Sequence, residues 1–348
     1  MRRIICTGAG GSAGMNFIQS LRMSKNDYYI VGTDSSKYFA KLSQADKTYV
    51  IPPLGHKYHL EAIISIIDRC ELEFLHAQPD PEVAFLAEHR EDLGCKTFFP
   101  TTRTIDIAQD KYEFAELMQQ HDVPVPNTEL VSSPERLRDL LKGEKMWLRA
   151  SKGAGSLAAL PVSEFAQAYY WIEYWKTRGL TWDDFIISDL LPGKEYAWQS
   201  LWKDGELITS AGRERIEYLF GSRMPSGQSS SPTVAKSVHN DDVNTVGRMA
   251  VKALDPKASG ILCVDIKCNS SGMPCDTEIN CGRFFTTSLF FTTAGANMPD
   301  QFISLGLGEK VDAPKYNAVP KDLFWVRQVD CQQVMFPESE LDKDQGDR

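Results

Sequence analysis

The stretch 260–287, GILCVDIKCNSSGMPCDTEINCGRFFTT, constrains this chain most. Leu262, Val264 and Ile266 alternate with polar residues, which is strand period. The segment 269–274, NSSGMP, carries turn chemistry, so the stretch reads as two short strands joined by a tight turn. If the turn closes symmetrically, Asp265 lies opposite Glu278 and Lys267 opposite Asp276. Asn280 then shares a face with Glu278, because side chains on a strand repeat every two residues. Two carboxylates and an amide oxygen on one face make a hard, oxygen-only site of the kind that holds Mg²⁺, with Mn²⁺ as a substitute, alongside substrate phosphates. A slip of one residue would turn Asp265 away from Glu278. The plain alternative is a surface hairpin with solvated acids.

The chain has 348 residues, enough for two or three lobes with substantial cores, and its 42% hydrophobic and 24% charged composition is that of a globular protein. A net charge of −9 with no basic stripe argues against nucleic acid as a partner. No run of about 18 apolar residues offers a membrane span, and the opening MRRIICTGAGG is too short in apolar residues for a signal peptide. Eight cysteines occur without a C-x-x-C pair. Cys263, Cys268, Cys275 and Cys281 fall in the hairpin at spacings that fit no zinc pattern, so a reduced, cytoplasmic protein with structural cysteines is expected. The segment after Phe336 is polar and reads as a frayed tail.

From the N-terminus, an apolar strand at 3–7 leads into a glycine turn at 8–14 (GAGGSAG), a helix at 15–23 and a second strand ending at Asp34. This order opens many nucleotide folds. Strand–helix alternation continues to residue 100, implying a parallel sheet, and His76 stands at the end of one apolar strand. Asp110 caps a helix carrying Phe114, Leu117 and Met118 at helical spacing, ended by Val123-Pro124-Val125-Pro126. Residues 145–159 (KMWLRASKGAGSLAA) read as strand, glycine loop, strand. No Gly-Lys-Ser/Thr follows the glycines, so this is no P-loop. At 212–236, Arg213, Arg215 and Arg223 flank a Ser/Gly-rich run with little periodicity, expected to be a mobile acceptor-side loop. Arg213 or Arg215 could clamp a carboxylate or phosphate there.

Taken in order, these segments resemble the ATP-grasp superfamily, and within it a stand-alone half of the carbamoyl-phosphate synthase large subunit. The resemblance spans about residues 3–329, and no single motif in it is decisive. It implies an α/β protein with a Rossmann-like N-terminal domain at 1–105, then a two-lobed α+β ATP-grasp domain. The lid would occupy 106–190, the catalytic lobe 191–336 and the polar tail 337–348. It implies ATP and Mg²⁺ as cofactors, with Asp265, Glu278 and Asn280 on the metal. Lys111 and Arg149 would meet phosphates, beneath a loop of Lys152, Gly153, Gly155 and Ser156. Asp189, Leu190 and Leu191 would meet the adenine edge, and Glu195 the ribose. Arg283 would contact phosphates, although Glu-Ile-Asn-Cys-Gly-Arg has one residue more than the family's Glu-x-Asn-Pro-Arg. The glycine turn would shape the acceptor side.

The implied activity is a ligase that activates a carboxylate as an acyl phosphate for attack by an amine. Its partners would be small carboxylates and amines, without nucleic acid or membrane, and a homodimer is possible. Two rivals stand beside it. A glycine turn with Asp34 also fits an NAD(P)-binding oxidoreductase or epimerase, but none of the twelve tyrosines is followed four residues later by lysine. A non-catalytic, regulatory ATP-binding protein is the other.

Overall fold

The computed structural model describes residues 1–340 apart from 154, 156, 230 and 330–333. The first hundred residues build a parallel sheet from β1 (Arg2–Thr7), β2 (Tyr28–Asp34), β3 (Lys47–Val50), β4 (Phe74–His76) and β5 (Lys96–Thr97), in the order β3-β2-β1-β4-β5. Helices α1 (Ser12–Arg22), α2 (His59–Cys70) and α3 (Asp80–Glu88) alternate with the strands. The unbroken apolar runs of β1 and β4 follow from burial on both faces, where no polar alternation is needed.

Two capped helices lead out of this sheet. The Thr101 hydroxyl accepts from the Thr104 N–H at the start of α4 (Thr102–Gln109). The Asp110 carboxylate accepts from the N–H groups of Tyr112 and Glu113 at the start of α5 (Lys111–Gln120). These side chains satisfy donors that a helix start leaves open.

The chain then forms β6 (Thr128–Leu130), α6 (Pro134–Leu140), β7 (Met146–Ala150), β8 (Leu160–Val162), α7 (Phe165–Lys176) and β9 (Phe185–Asp189). Their strands make a four-stranded antiparallel sheet, ordered β6-β9-β7-β8.

A seven-stranded sheet, ordered β14-β13-β10-β11-β12-β15-β16, takes the rest. It contains β10 (Glu195–Lys203), β11 (Glu206–Tyr218), β12 (Pro232–Val238), β13 (Gly260–Cys268), β14 (Pro274–Cys281), β15 (Leu323–Val326) and β16 (Val334–Pro337). Helices α8 (Asp241–Leu254), α9 (Ser288–Thr293) and α10 (Met298–Leu307) cover it. The expected polar tail begins later than the sequence suggests, since residues 334–337 pair with β15, and 341–348 lie outside the described residues.

The parallel sheet and the seven-stranded sheet share their cores. One cluster joins Ile5, Leu75 and Phe114 to Trp198, Val264 and Ile279. The other joins Phe17, Phe74 and Ile4 to Ile261, Phe290 and Trp325. The four-stranded sheet keeps a core of its own around Leu148, Ile172 and Phe185.

Two expectations are corrected. Arg213 and Arg215 lie within the thirteen-residue strand β11, paired on both sides, and not in a long loop; a short 3₁₀ helix at Gly221–Arg223 lies between β11 and β12. β11 passes from buried to exposed positions and is bulged between Arg215 and Glu217, so no single period marks it in the sequence. Second, Asp265 does lie opposite Glu278, but Thr277 is an extra residue on β14, so Ile266 faces Asp276 and Lys267 faces Cys275. The insertion is a β-bulge, pinned by the Thr277 hydroxyl donating to the Asp265 carbonyl at 2.8 Å. Asp276 is consequently fully buried, not paired with Lys267. Burial, and then repulsion from Asp265, push its carboxyl well up.

Candidate active site

A cavity of ≈ 700 Å³ opens where the three sheets meet, and every described candidate residue except Arg213 lines it. Ser156 lies outside the described residues. Asp265, Glu278 and Asn280 form one wall, on β13 and β14. Asn280 Nδ2 donates to Asp265 Oδ2 at 3.2 Å, so amide and carboxylate converge.

Cations hold both carboxylates. Arg215 on β11 reaches Asp265 Oδ1 at 2.6 Å and Glu195 Oε1 at 2.7 Å. Arg149 on β7 reaches Glu278 Oε2 at 3.3 Å and donates to the Thr277 carbonyl at 2.9 Å. Burial pushes the Asp265 carboxyl up to about 7, against the pull of Arg215. Burial acts on Glu278 in the same sense, but Lys111, Arg149, Arg215 and Arg283 together hold it below the usual carboxylate range. The two acids therefore differ because more positive charge converges on Glu278.

Lys111, the first residue of α5, donates from Nζ to the Gly153 carbonyl at 2.7 Å, tying the helix to the glycine loop. Gly153 and Gly155 both adopt positive φ. Lys152 is exposed and pairs with Asp110 at 3.3 Å. Asp189 ends β9 and accepts from Asn127 Nδ2 at 2.8 Å; Leu190 and Leu191 follow it along the cavity. Glu195 gathers donors: Arg215, the Tyr218 hydroxyl, Gln228 Nε2 at 3.2 Å and Lys267 Nζ at 3.5 Å.

Arg283 keeps its place at the cavity despite the extra residue. Gly282 absorbs that residue with φ +80°, where an added Cβ would come within 2.6 Å of Val83. The Arg283 guanidinium donates to the Asp80 carboxylate and to Asn280 Oδ1. Burial disfavours this charge, but Asp80 more than offsets it and raises the pKa.

Asp80 was not among the residues singled out from the sequence, nor were Tyr218, Gln228 and Lys267. One signal pointed to Asp80: it follows β4, whose C-terminal end is where parallel sheets place ligands. His76, at that same end, is buried against Phe17, Phe284 and Phe302. Burial lowers its pKa to about 4, and its Nε2 meets Gln78 Oε1 at 2.7 Å.

The glycine turn is closed on itself. The Ala9 N–H donates to Thr33 O, Gly11 N–H to Gly8 O and Gly10 N–H to Asp34 Oδ2. A Cβ on Gly10 would lie 2.0 Å from the Phe39 carbonyl oxygen. The other Asp34 oxygen accepts from the Ser36 N–H at 2.8 Å. These glycines serve close packing, and the N–H groups of Ala9, Gly10 and Gly11 are engaged within the protein.

The metal candidates pass a chemical test. Their donors are all oxygen, which suits Mg²⁺, and the four hairpin cysteines are buried with thiol pKa values pushed up by desolvation. Among the described residues, no group of three or more His, Cys, Asp or Glu could hold a metal by itself. Asp265, Glu278 and Asn280 thus suit an ion whose shell is completed by phosphates and water.

The fold is similar to that of several solved structures. An L-amino acid ligase from Bacillus licheniformis superposes with a TM-score of 0.70 at 11% identity, covering 93% of this chain and 79% of that one. A biotin carboxylase–β,γ-ATP complex from Campylobacter jejuni gives 0.72 at 14% identity, covering 93% and 75%. The chain has the ATP-grasp fold. A carboxyaminoimidazole ribonucleotide synthase from Aspergillus clavatus, complexed with ATP, matches that fold at a TM-score of 0.69 and 14% identity, covering 93% and 81%. Residues 4–98, the opening of the ATP-grasp chain, match the family model of the PylC-like N-terminal domain. No curated protein matches the chain by sequence. Among the described residues, no helix is long and apolar enough to cross a membrane.

Proposed function

We propose that this protein is an ATP-dependent ligase that phosphorylates a small carboxylate and joins the acyl group to an amine, in the manner of one half of the carbamoyl-phosphate synthase large subunit. One observation carries the reading: Asp265 and Glu278 face each other across β13 and β14 with Asn280 beside them, in a cavity also walled by Lys111 and Arg149. The solved ligases and carboxylases of the same fold support it: a biotin carboxylase domain is complexed with MgADP, and two others with ATP or a β,γ-ATP.

Asp265, Glu278 and Asn280 would hold Mg²⁺, which neutralises phosphate charge when bound. Lys111 and Arg149 would meet the phosphates, giving up the Gly153 carbonyl and Glu278 to do so. The loop carrying Lys152, Gly153 and Gly155 covers that end of the cavity and would exclude water from the acyl phosphate. Asp189, Leu190 and Leu191 would take the adenine edge, and Glu195, already surrounded by donors, the ribose. A carboxylate oxygen of the acceptor attacks the γ-phosphorus and ADP leaves. An amine nitrogen then attacks the acyl carbon, inorganic phosphate leaves and the amine loses a proton. The protein's contribution is positioning and charge neutralisation. The described cysteines are all free, which supports a cytoplasmic setting.

Thermal unfolding with Mg·ATP and with NADPH tests the reading. A ligand at 100 times its dissociation constant stabilises by about 2.7 kcal/mol. Mg·ATP is expected to raise the melting temperature; a shift with NADPH and none with ATP overturns the proposal.

A further inference from the structure

Phe285 and Thr286, just beyond the end of β14, line the cavity together with Ser229, and two arginines that do not themselves line it lie behind them. The Arg213 guanidinium lies 5.1 Å from the Phe285 ring centroid, and that of Arg215 5.8 Å. Arg327 donates to the Thr286 carbonyl at 3.1 Å and to the Pro232 carbonyl at 3.0 Å. The Thr286 hydroxyl meets that of Ser231 at 3.0 Å.

Counter-charges are unevenly shared among these arginines. Glu195 and Asp265 answer Arg215, and Asp80 answers Arg283. Neither Arg213 nor Arg327 has a carboxylate partner among the described residues. Arg213 is 1% exposed, and its Nε and Nη1 are buried without a hydrogen-bond partner. The hydroxyls of Thr287 and Ser288, next along the chain, are likewise buried and unpartnered. Burial, then the neighbouring Arg215 charge, pull the Arg213 pKa down to about 9, and the more distant Asp265 carboxylate offsets only part of that.

A buried, unpaired cation is destabilising, and an aromatic face offsets only part of that cost. An apolar residue of similar volume would serve β11 better unless an anion comes to the site. The phosphates and the reacting carboxylate already have Lys111 and Arg149 at the lid end. A monocarboxylate acceptor would leave the Phe285 end unmatched.

Building on the ligase reading, we propose that the acceptor is a small dianion, and that its second, non-reacting anionic group binds at Ser229 and Thr286 in the field of Arg213 and Arg327. That group is a carboxylate or a phosphate. Phe285 lies between the apolar spacer of such a molecule and the guanidinium beneath it. The site therefore selects by charge at one end and by length between the two ends.

Calorimetric titration of the full chain in saturating Mg·AMP-PNP tests this, with succinate, 3-phosphonopropionate and butyrate as probes. At least one dianion is expected to bind about tenfold or more tightly than butyrate, through attraction in the field of the two arginines. The two dianions distinguish carboxylate from phosphate recognition. Arg213→Met is expected to lose that preference while melting no lower than wild type, because an unpaired buried charge has been removed. Butyrate binding as well as both dianions overturns the proposal, and so does an Arg213→Met protein that keeps the preference. If Arg213→Met does not fold, Arg213→Lys and Arg327→Met replace it; retention of full preference in both is equally fatal. Failure of Mg·AMP-PNP to bind sinks the ligase reading instead, and the dianion preference is then measured on the nucleotide-free protein.

Discussion

The four-stranded lid and the two-sheet body are held together by different forces. Within the body, the parallel sheet and the seven-stranded sheet share apolar clusters that run through both. The lid closes its own core around Leu148, Ile172 and Phe185. It meets the body through polar contacts that include Arg149 with Glu278 and Thr277, and Lys111 of α5 with Gly153. The body supplies the carboxylates of the site, while the lid strand β7 supplies Arg149. Charge in the cavity is balanced only when the two meet. Separate cores make the lid a unit of its own in unfolding, since local opening follows the boundaries of buried apolar contact.

The largest expected effect lies on the body side of that contact. Glu278→Gln keeps side-chain volume and removes one negative charge from the metal candidates. Turnover is expected to fall by about 10³-fold or more while the fold survives. Steady-state phosphate release with Mg²⁺ titration checks it, and wild-type turnover with unchanged Mg²⁺ dependence would remove Glu278 from the site.

Core deletions sharpen the contrast in stability. Phe290, buried against Phe291 and Trp325, is expected to cost about 3–5 kcal/mol of global stability when changed to Ala. Ile172→Ala is expected to loosen the lid alone. Amide hydrogen exchange should show faster exchange in β7 and β9 with β1 and β13 unchanged. Equal loss of protection in lid and body would mean the two form one cooperative unit.

A third test uses pH and belongs to the body. His76 has its folded pKa lowered from 6.5 to about 4, so the unfolded state binds the proton more tightly. The stability this neutral, buried ring contributes is present above pH 6.5 and is lost as pH falls toward 4, by about 3 kcal/mol. Melting temperature against pH should be flatter over that window in His76→Gln than in wild type. Identical slopes would place the acid sensitivity elsewhere.

The smallest effect is expected from the lid side. Arg149→Met should lower turnover by about 10²-fold, the effect of losing one preorganised charge contact. It also frees Glu278 and weakens lid docking, so faster exchange in β7 should accompany the kinetic loss. A kinetic loss without faster exchange would separate phosphate binding from lid closure.

Much of this arrangement was legible in the chain because its signals are local. The alternation Leu262, Val264, Ile266, the turn at 269–274 and the Asp110 cap all act within a few residues, and each forms as read. The Asp265–Glu278 pairing forms as expected, but through the bulge at Thr277, because the turn itself closes one residue away from the symmetric register. The Lys267–Asp276 pairing failed because a bulge at Thr277 depends on how β14 sits against the strand beside it. Arg213 and Arg215 read as a loop because β11 runs from buried to exposed positions and is bulged after Arg215, which breaks the alternation that marks strands.

The sequence by itself determined most element types, including the opening strand–helix alternation, and the set of oxygen donors on one hairpin face. Periodicity, capping and turn chemistry are properties of neighbouring residues. The tertiary structure alone decided which charges meet. Asp80 reaches Arg283 across 203 positions, Arg149 reaches Glu278 across 129, and Arg215 is answered by two carboxylates while Arg213, two residues earlier, has none. Coulomb pairing acts through space between side chains distant in sequence, so composition shows how many charges there are, and only the packed fold shows which are left unbalanced.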